Sequence, residues 1–119
     1  TAAYRNAVID GAKLRGTADL CIPATDTIIE TDGEGSIARI PDRSRLMCVQ
    51  TPQGFRYGIL RRAHDAALSR GTTAATDDIG LVLEMGENPL IVTGEPENFK
   101  VTTARDLVIA DALSRSAAE

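Results

Sequence analysis

Apolar residues near the start of the chain recur at helical spacing. Tyr4, Val8 and Ala12 share one face of a helix predicted from Ala2 to Arg15, which Gly16 can end. Asp19-Leu20-Cys21-Ile22 breaks that spacing and reads as a short buried strand stopped at Pro23. Ile28-Ile29 stands among polar residues, the turn cluster Asp32-Gly33-Glu34-Gly35 follows, and Ser36 to Ile40 can return as a partner strand. Such a hairpin is weakly apolar and is expected to project rather than enter the core. Leu46 to Val49 reads as the next buried strand. Pro52 favours extended geometry before it and a helix start after it, so the strand is expected to end near Thr51. A helix from about Phe55 to Ser69 would align Phe55, Ile59, Ala63 and Ala66 and stop at Gly71. Thr76 is the expected cap of a shorter helix, with Asp77 and Asp78 in its first turn and Gly86 after it. Leu90-Ile91-Val92 forms a third buried run. Thr103-Ala104-Arg105-Asp106 is a capping-box pattern with Asp in the usual Glu place, opening a last helix to about Ser114.

Strands alternating with helices imply a layered α/β fold with a mostly parallel sheet. Ligands of such sheets bind beyond the C-terminal ends of the strands. Gln50-Thr51 and Thr93-Gly94 stand at two such ends. The length of 119 residues sets one domain, or part of one, as the expectation. A net charge of -4 and an aromatic content of 3% argue against a nucleic-acid binder, which would be basic or would present stacking rings. No apolar run has the length of a membrane span, and no charged-then-apolar leader opens the sequence, so a cytoplasmic protein is expected. Cys21 and Cys48 both sit in apolar runs and read as small buried hydrophobes; with a single histidine there is no zinc pattern.

The basic residues change this picture. Arg39, Arg43, Arg45, Arg56, Arg61 and Arg62 lie close together, with Asp42 the only acid among them. A basic centre in an acidic protein suggests a local anion partner, and the arginine fork suits phosphate. Arg61 and Arg62 read as a solvated helix face, Arg61 with Asp65 four residues on. Arg43 follows the hairpin, where a loop can aim it at an anion or leave it as a surface cation. Lys100 lies between a strand end and a helix start, where phosphate-binding groups collect; the alternative is an ordinary surface lysine. His64, in mid-helix, reads as a surface or satisfied histidine.

Several strings resemble a known family. Asp26-Thr27-Ile28, Asp42-Arg43 and Gln50-Thr51-Pro52-Gln53-Gly54-Phe55 stand in the order seen in the 2-C-methyl-D-erythritol 4-phosphate cytidylyltransferases and the related ribitol 5-phosphate cytidylyltransferases. So do Thr76-Asp77-Asp78, Gly94-Glu95, Asn98-Phe99-Lys100-Val101-Thr102-Thr103 and Asp106-Leu107. The resemblance runs from about Val8 to Leu113. It implies a Rossmann-like three-layer α/β sandwich with a protruding β-arm (here about residues 25–45) that builds a homodimer. It implies transfer of CMP from CTP to a polyol phosphate with release of pyrophosphate, assisted by magnesium. It further implies that Thr27 and Thr51 line the polyol-phosphate pocket and that Thr76 and Asp77 lie beside it. Arg43 would reach the polyol phosphate in the partner subunit's site, and Lys100 would stabilise the pentacoordinate phosphorus.

Two departures matter. The glycine-rich loop and the aspartate that hold the CTP phosphates and the metal in the family are absent from this sequence. The chain is therefore expected to be the C-terminal half of such a domain, supplying the polyol-phosphate half of the site and the arm, and to be inactive alone. Ile29 replaces a lysine usual in the methylerythritol enzymes, and Ile40-Pro41 is more similar to the ribitol enzymes, whereas Thr76-Asp77-Asp78 is similar to the methylerythritol group. The polyol phosphate is left open between the two. A non-catalytic dimerisation or anion-binding module derived from the family is the alternative reading.

Overall fold

The structure, a computed structural model, describes residues 2–71 and 77–118. Helix α1 (Ala2–Arg15) ends at Gly16, whose φ of 90° lies in the region glycine enters without a Cβ penalty. Strand β1 (Thr17–Pro23) follows and is the centre of a three-stranded sheet in the order β4-β1-β5. Strand β4 (Met47–Phe55) runs antiparallel to β1, and β5 (Leu90–Thr93) runs parallel to it. The described sheet thus contains one pair of each kind. The short strands β2 (Glu30–Thr31) and β3 (Ile37–Arg39) form a separate two-stranded sheet, exposed along its length, which is the projecting hairpin.

Alternation along β1 divides the core into two. Ala18 and Leu20 face α1 and pack with Val8 and Ala12, flanked by Tyr4, Leu90 and Val92. The approach is close: a Cβ on Gly54 would stand 2.9 Å from Val8 Cγ1, so only glycine lets β4 lie against α1 here. Phe55, adjacent to Gly54 and so on the other face, packs with Ile59, Ala63, Ala67, Ile79, Leu81 and Val82. These come from α2 (Tyr57–Arg70) and α3 (Asp78–Glu84), which lie over that face. Helix α4 (Ala104–Ala118) is the last described element and buries no residue.

Several sequence expectations need correction. Leu90-Ile91-Val92 is not a buried run: Ile91 is exposed and its two neighbours are half-buried, because β5 is an edge strand of the described sheet. Pro52 does not end its strand. The ladder shifts register between Asp19 and Cys21, so that Gln50, Thr51 and Pro52 bulge opposite Leu20 alone, and pairing resumes at Gln53. A bulge is where a proline without an N–H is accommodated in a sheet, and the helix accordingly starts later, at Tyr57. Leu46 to Val49 is not a buried run: Met47, Cys48 and Val49 are exposed, because β4 is an edge strand and these residues belong to neither core cluster. Cys48 is therefore exposed, while Cys21 is buried as expected, and burial raises its thiol to about 11. No helix of the described residues is long and apolar enough to cross a membrane.

Candidate functional site

Strand β4 holds two other segments, at its bulge and just after it. The Gln50 side chain is buried and donates through Nε2 to the Glu95 carbonyl at 2.8 Å. Asn98 Nδ2 donates to the Thr51 carbonyl at 2.7 Å. These bonds bind the segment after β5, which carries Lys100, to the strand that carries Thr51. Gln53 Nε2 then donates to Asp77 Oδ2 at 3.2 Å, which joins the start of α3 to the same strand. Thr51, Lys100 and Asp77 are thus supported on one strand.

Around Lys100 the backbone donors are already engaged. Asp106 Oδ2 accepts from Thr102 N, Thr103 N and Thr102 Oγ1, each at 3.0 Å, and Asp106 N donates back to Thr103 Oγ1 at 3.1 Å. This is the expected capping box with Asp in the Glu place. These donors hold the Asp106 carboxyl below its ordinary range. They also change the expectation for an anion here, since the amides of Thr102 and Thr103 face Asp106. The exposed Lys100, which forms no ion pair among the described residues, is the group left to meet it.

Asp77, rather than Thr76, caps α3. Its Oδ1 accepts from Gly80 N at 3.1 Å, so the helix begins one residue later than the sequence suggested. Thr76 itself lies outside the described residues. His64 and Asp78 pair at 2.8 Å and Arg61 pairs with Asp65 at 3.2 Å, which satisfies both as read from the sequence.

A second group lies around Arg43 at the base of the arm. Arg43 opens a short 3₁₀ turn (Arg43–Arg45) capped by Asp42, whose Oδ1 accepts from Ser44 N at 3.0 Å. Arg43 Nη1 donates to the Thr25 carbonyl at 3.0 Å, fastening Thr25 to the turn, while Thr27, two residues on, makes no hydrogen bond among the described residues. No carboxylate pairs with Arg43 among the described residues, whereas Arg39 is taken by Glu30 at 2.6 Å. A recess of about 460 Å³ opens beside Arg43, lined also by Pro23, Ala24, Asp42, Ser44, Leu46 and Met47. No hydrogen bond or ion pair joins this group to Thr51, Lys100 or Asp77 among the described residues.

Sequence reasoning missed Asp19. It is 4% exposed, and its Oδ2 accepts from the same Gln53 amide at 3.2 Å. Its Oδ1 is buried with no partner among the described residues. Burial, and secondarily the charge of Asp77, raise its carboxyl to about 6, against the lowering effect of the Gln53 bond. The signal was a carboxylate in the middle of an otherwise apolar strand.

Among the described residues no three of His, Cys, Asp and Glu gather as a metal site. Asp19 and Asp77 are engaged by an amide. The described residues do not fit a magnesium site, so no step of the chemistry is derived through one.

The family profile for 2-C-methyl-D-erythritol 4-phosphate cytidylyltransferase matches residues 3–116. The chain belongs to that family. It is 44% identical over 107 residues to the 2-C-methyl-D-erythritol 4-phosphate cytidylyltransferase of Thermobifida fusca, covering 85% of this chain and 43% of the relative. It is 50% identical over 92 residues to that of Rhodococcus jostii, covering 77% and 39%. The crystal structure of 2-C-methyl-D-erythritol 4-phosphate cytidylyltransferase from Thermus thermophilus superposes with a TM-score of 0.82 at 38% identity, over 95% of this chain and 55% of that one. The cytidylyltransferase fold is therefore the Rossmann-like α/β fold expected from the sequence. The chain spans about half the length of the curated relatives it matches.

Proposed function

We propose that this chain supplies the polyol-phosphate half of a cytidylyltransferase that transfers CMP from CTP to 2-C-methyl-D-erythritol 4-phosphate and releases pyrophosphate. The observation that carries this reading is the family match over residues 3–116 together with the attachment of Asp77 and the Lys100 loop to β4 beside Thr51. A phosphate oxygen of the polyol attacks the α-phosphorus of CTP, and the bond to pyrophosphate breaks. Lys100 offers an unpaired ammonium to the equatorial oxygens as they gain charge, an interaction worth most in the transition state. Thr27 and Thr51 donate hydroxyls to the polyol phosphate, and Thr76 and Asp77 flank it.

Arg43 meets the polyol phosphate of the partner subunit in a homodimer built through the arm. Two observations support this. No hydrogen bond or ion pair ties Arg43 to the β4 group among the described residues, and the arm exposes Ile28, Ile29, Ile37 and Ile40, an apolar stretch suited to a partner surface. The exposed Leu107 and Val108 of α4, and the edge of β4, would be covered by the nucleotide-binding half of the enzyme, which would hold CTP and magnesium. The enzyme would act in the cytoplasm.

The test is pyrophosphate release by the complete enzyme containing this segment, with CTP and either polyol phosphate. The account expects kcat/KM for 2-C-methyl-D-erythritol 4-phosphate to exceed that for ribitol 5-phosphate by at least about a hundredfold. A preference for ribitol 5-phosphate would overturn the substrate. No turnover with either would favour a non-catalytic dimerisation or anion-binding module.

A further inference from the structure

Asp19, Gln53 and Asp77 come from β1, β4 and the start of α3, and one amide joins them. Gln53 Nε2 carries two hydrogens, and each has a carboxylate oxygen at 3.2 Å. The amide plane is thereby defined from both sides. Gln53 stands directly opposite Asp19 in the ladder, immediately after the bulge, on the sheet face covered by α2 and α3. Asp77 is held twice, by Gln53 at Oδ2 and by Gly80 N at Oδ1. A carboxylate so engaged, and itself negative, is poorly suited to meet a phosphate directly. It is well suited to set where the chain enters α3.

Asp19 is the unexpected member. A carboxylate 4% exposed, with one oxygen buried and unpartnered, is costly in a strand that would be filled more stably by an apolar residue. Sites that break the local rule of an apolar core in this way are expected where function requires it.

We propose that Asp19 and Gln53 are positioning residues of the polyol-phosphate site. Asp19 fixes the Gln53 amide, and Gln53 fixes Asp77 and the entry to α3 relative to Thr51. The inference rests on the functional reading above, since it is that reading which puts Thr51 and Asp77 beside the polyol phosphate. Neither residue touches a reacting atom. Their loss should weaken capture of the polyol phosphate and leave the chemical step and CTP binding nearly unchanged.

Steady-state kinetics on the complete enzyme, with each substrate varied in turn, test this. Gln53→Met keeps the side-chain length and removes both donors. It should raise KM for 2-C-methyl-D-erythritol 4-phosphate about tenfold, with kcat and the KM for CTP within about twofold of wild type. Asp19→Leu should produce the same split. Asp19→Asn, which keeps an oxygen for Gln53, should restore KM to within about threefold. The double variant Gln53→Met/Asp19→Leu should be no worse than either single one, because both cut the same connection. A rise in KM for both substrates, a fall in kcat alone, or equal KM values for Asp19→Asn and Asp19→Leu would overturn the proposal. If Gln53→Met does not fold, the two Asp19 variants decide by themselves. An inactive wild-type enzyme would instead refute the functional reading, so the two failures are distinct.

Discussion

Asp19 links the buried network to a measurable property of the fold. Its carboxyl titrates at about 6 in the folded protein, against an ordinary value of 3.8. The folded state therefore binds this proton more tightly than the unfolded state does. Stability from this group is fully present below the unfolded value and is lost as pH rises through 4 to 6. A gap of about two pH units corresponds to about 3 kcal/mol. In Asp19→Asn the group cannot ionise, so that loss disappears. The substitution also places an amide where Oδ1 is unpartnered, at a roughly constant cost of about 1–3 kcal/mol. Urea unfolding of both proteins at half-unit steps from pH 4 to 7.5 separates the two effects. The difference in unfolding free energy, variant minus wild type, should rise by about 2.5 kcal/mol between pH 4 and 7 and then level off. The lowered carboxyls of Asp32 and Asp106 have the opposite sign and act below this window, and they are common to both proteins. Parallel stability curves across the window would show that Asp19 is not the desolvated, proton-retaining group described here.

Other outcomes follow from the same structure. Gly54→Ala places a methyl 2.9 Å from Val8 Cγ1 and 3.1 Å from the Val8 carbonyl, so a thermal melt should show a loss of about 1–3 kcal/mol. In the complete enzyme, Arg43→Ala subunits mixed with Lys100→Ala subunits should regain part of the wild-type rate, because some mixed dimers contain one site with neither defect; a mixture no faster than its parents, despite demonstrated exchange, would exclude the trans role of Arg43. The 119-residue chain alone, which matches only 43% of the length of its Thermobifida relative, should release pyrophosphate from CTP at the background rate. Turnover by that chain at an ordinary enzymatic rate would contradict the division of the site proposed above.

Elements with a local cause were legible in the sequence. Gly16 and Gly71 end their helices in the left-handed region, with φ of 90° and 69°. Thr103 and Asp106 form their cap, and the hairpin around Asp32 projects, its tip closed by Asp32 Oδ1 accepting from Glu34 N at 2.7 Å. Features set by tertiary partners were not. Pro52 carries the same local preference whether a strand ends or bulges, and only the register with β1 decides. The exposure of Cys48 depends on what lies beside the edge of β4, which its own apolar neighbours do not reveal. The candidate site divides in the same way. Lys100 and Arg43 stood out through their position in loops and through the family motif. The Asp19–Gln53–Asp77 connection spans 34 and 24 positions of sequence and is visible only when three elements are folded together.

The most direct measurement of the central claim is kcat for Lys100→Ala in the complete enzyme at saturating CTP and 2-C-methyl-D-erythritol 4-phosphate. Lys100 is exposed and forms no ion pair among the described residues, so its removal should leave the melting temperature nearly unchanged. Its ammonium is assigned to charge that is largest in the transition state, so kcat should fall by about a hundredfold or more. Lys100→Arg should not recover the full rate, because a planar fork does not replace a compact point charge. A Lys100→Ala enzyme with wild-type kcat would contradict the account and leave Lys100 an ordinary surface residue.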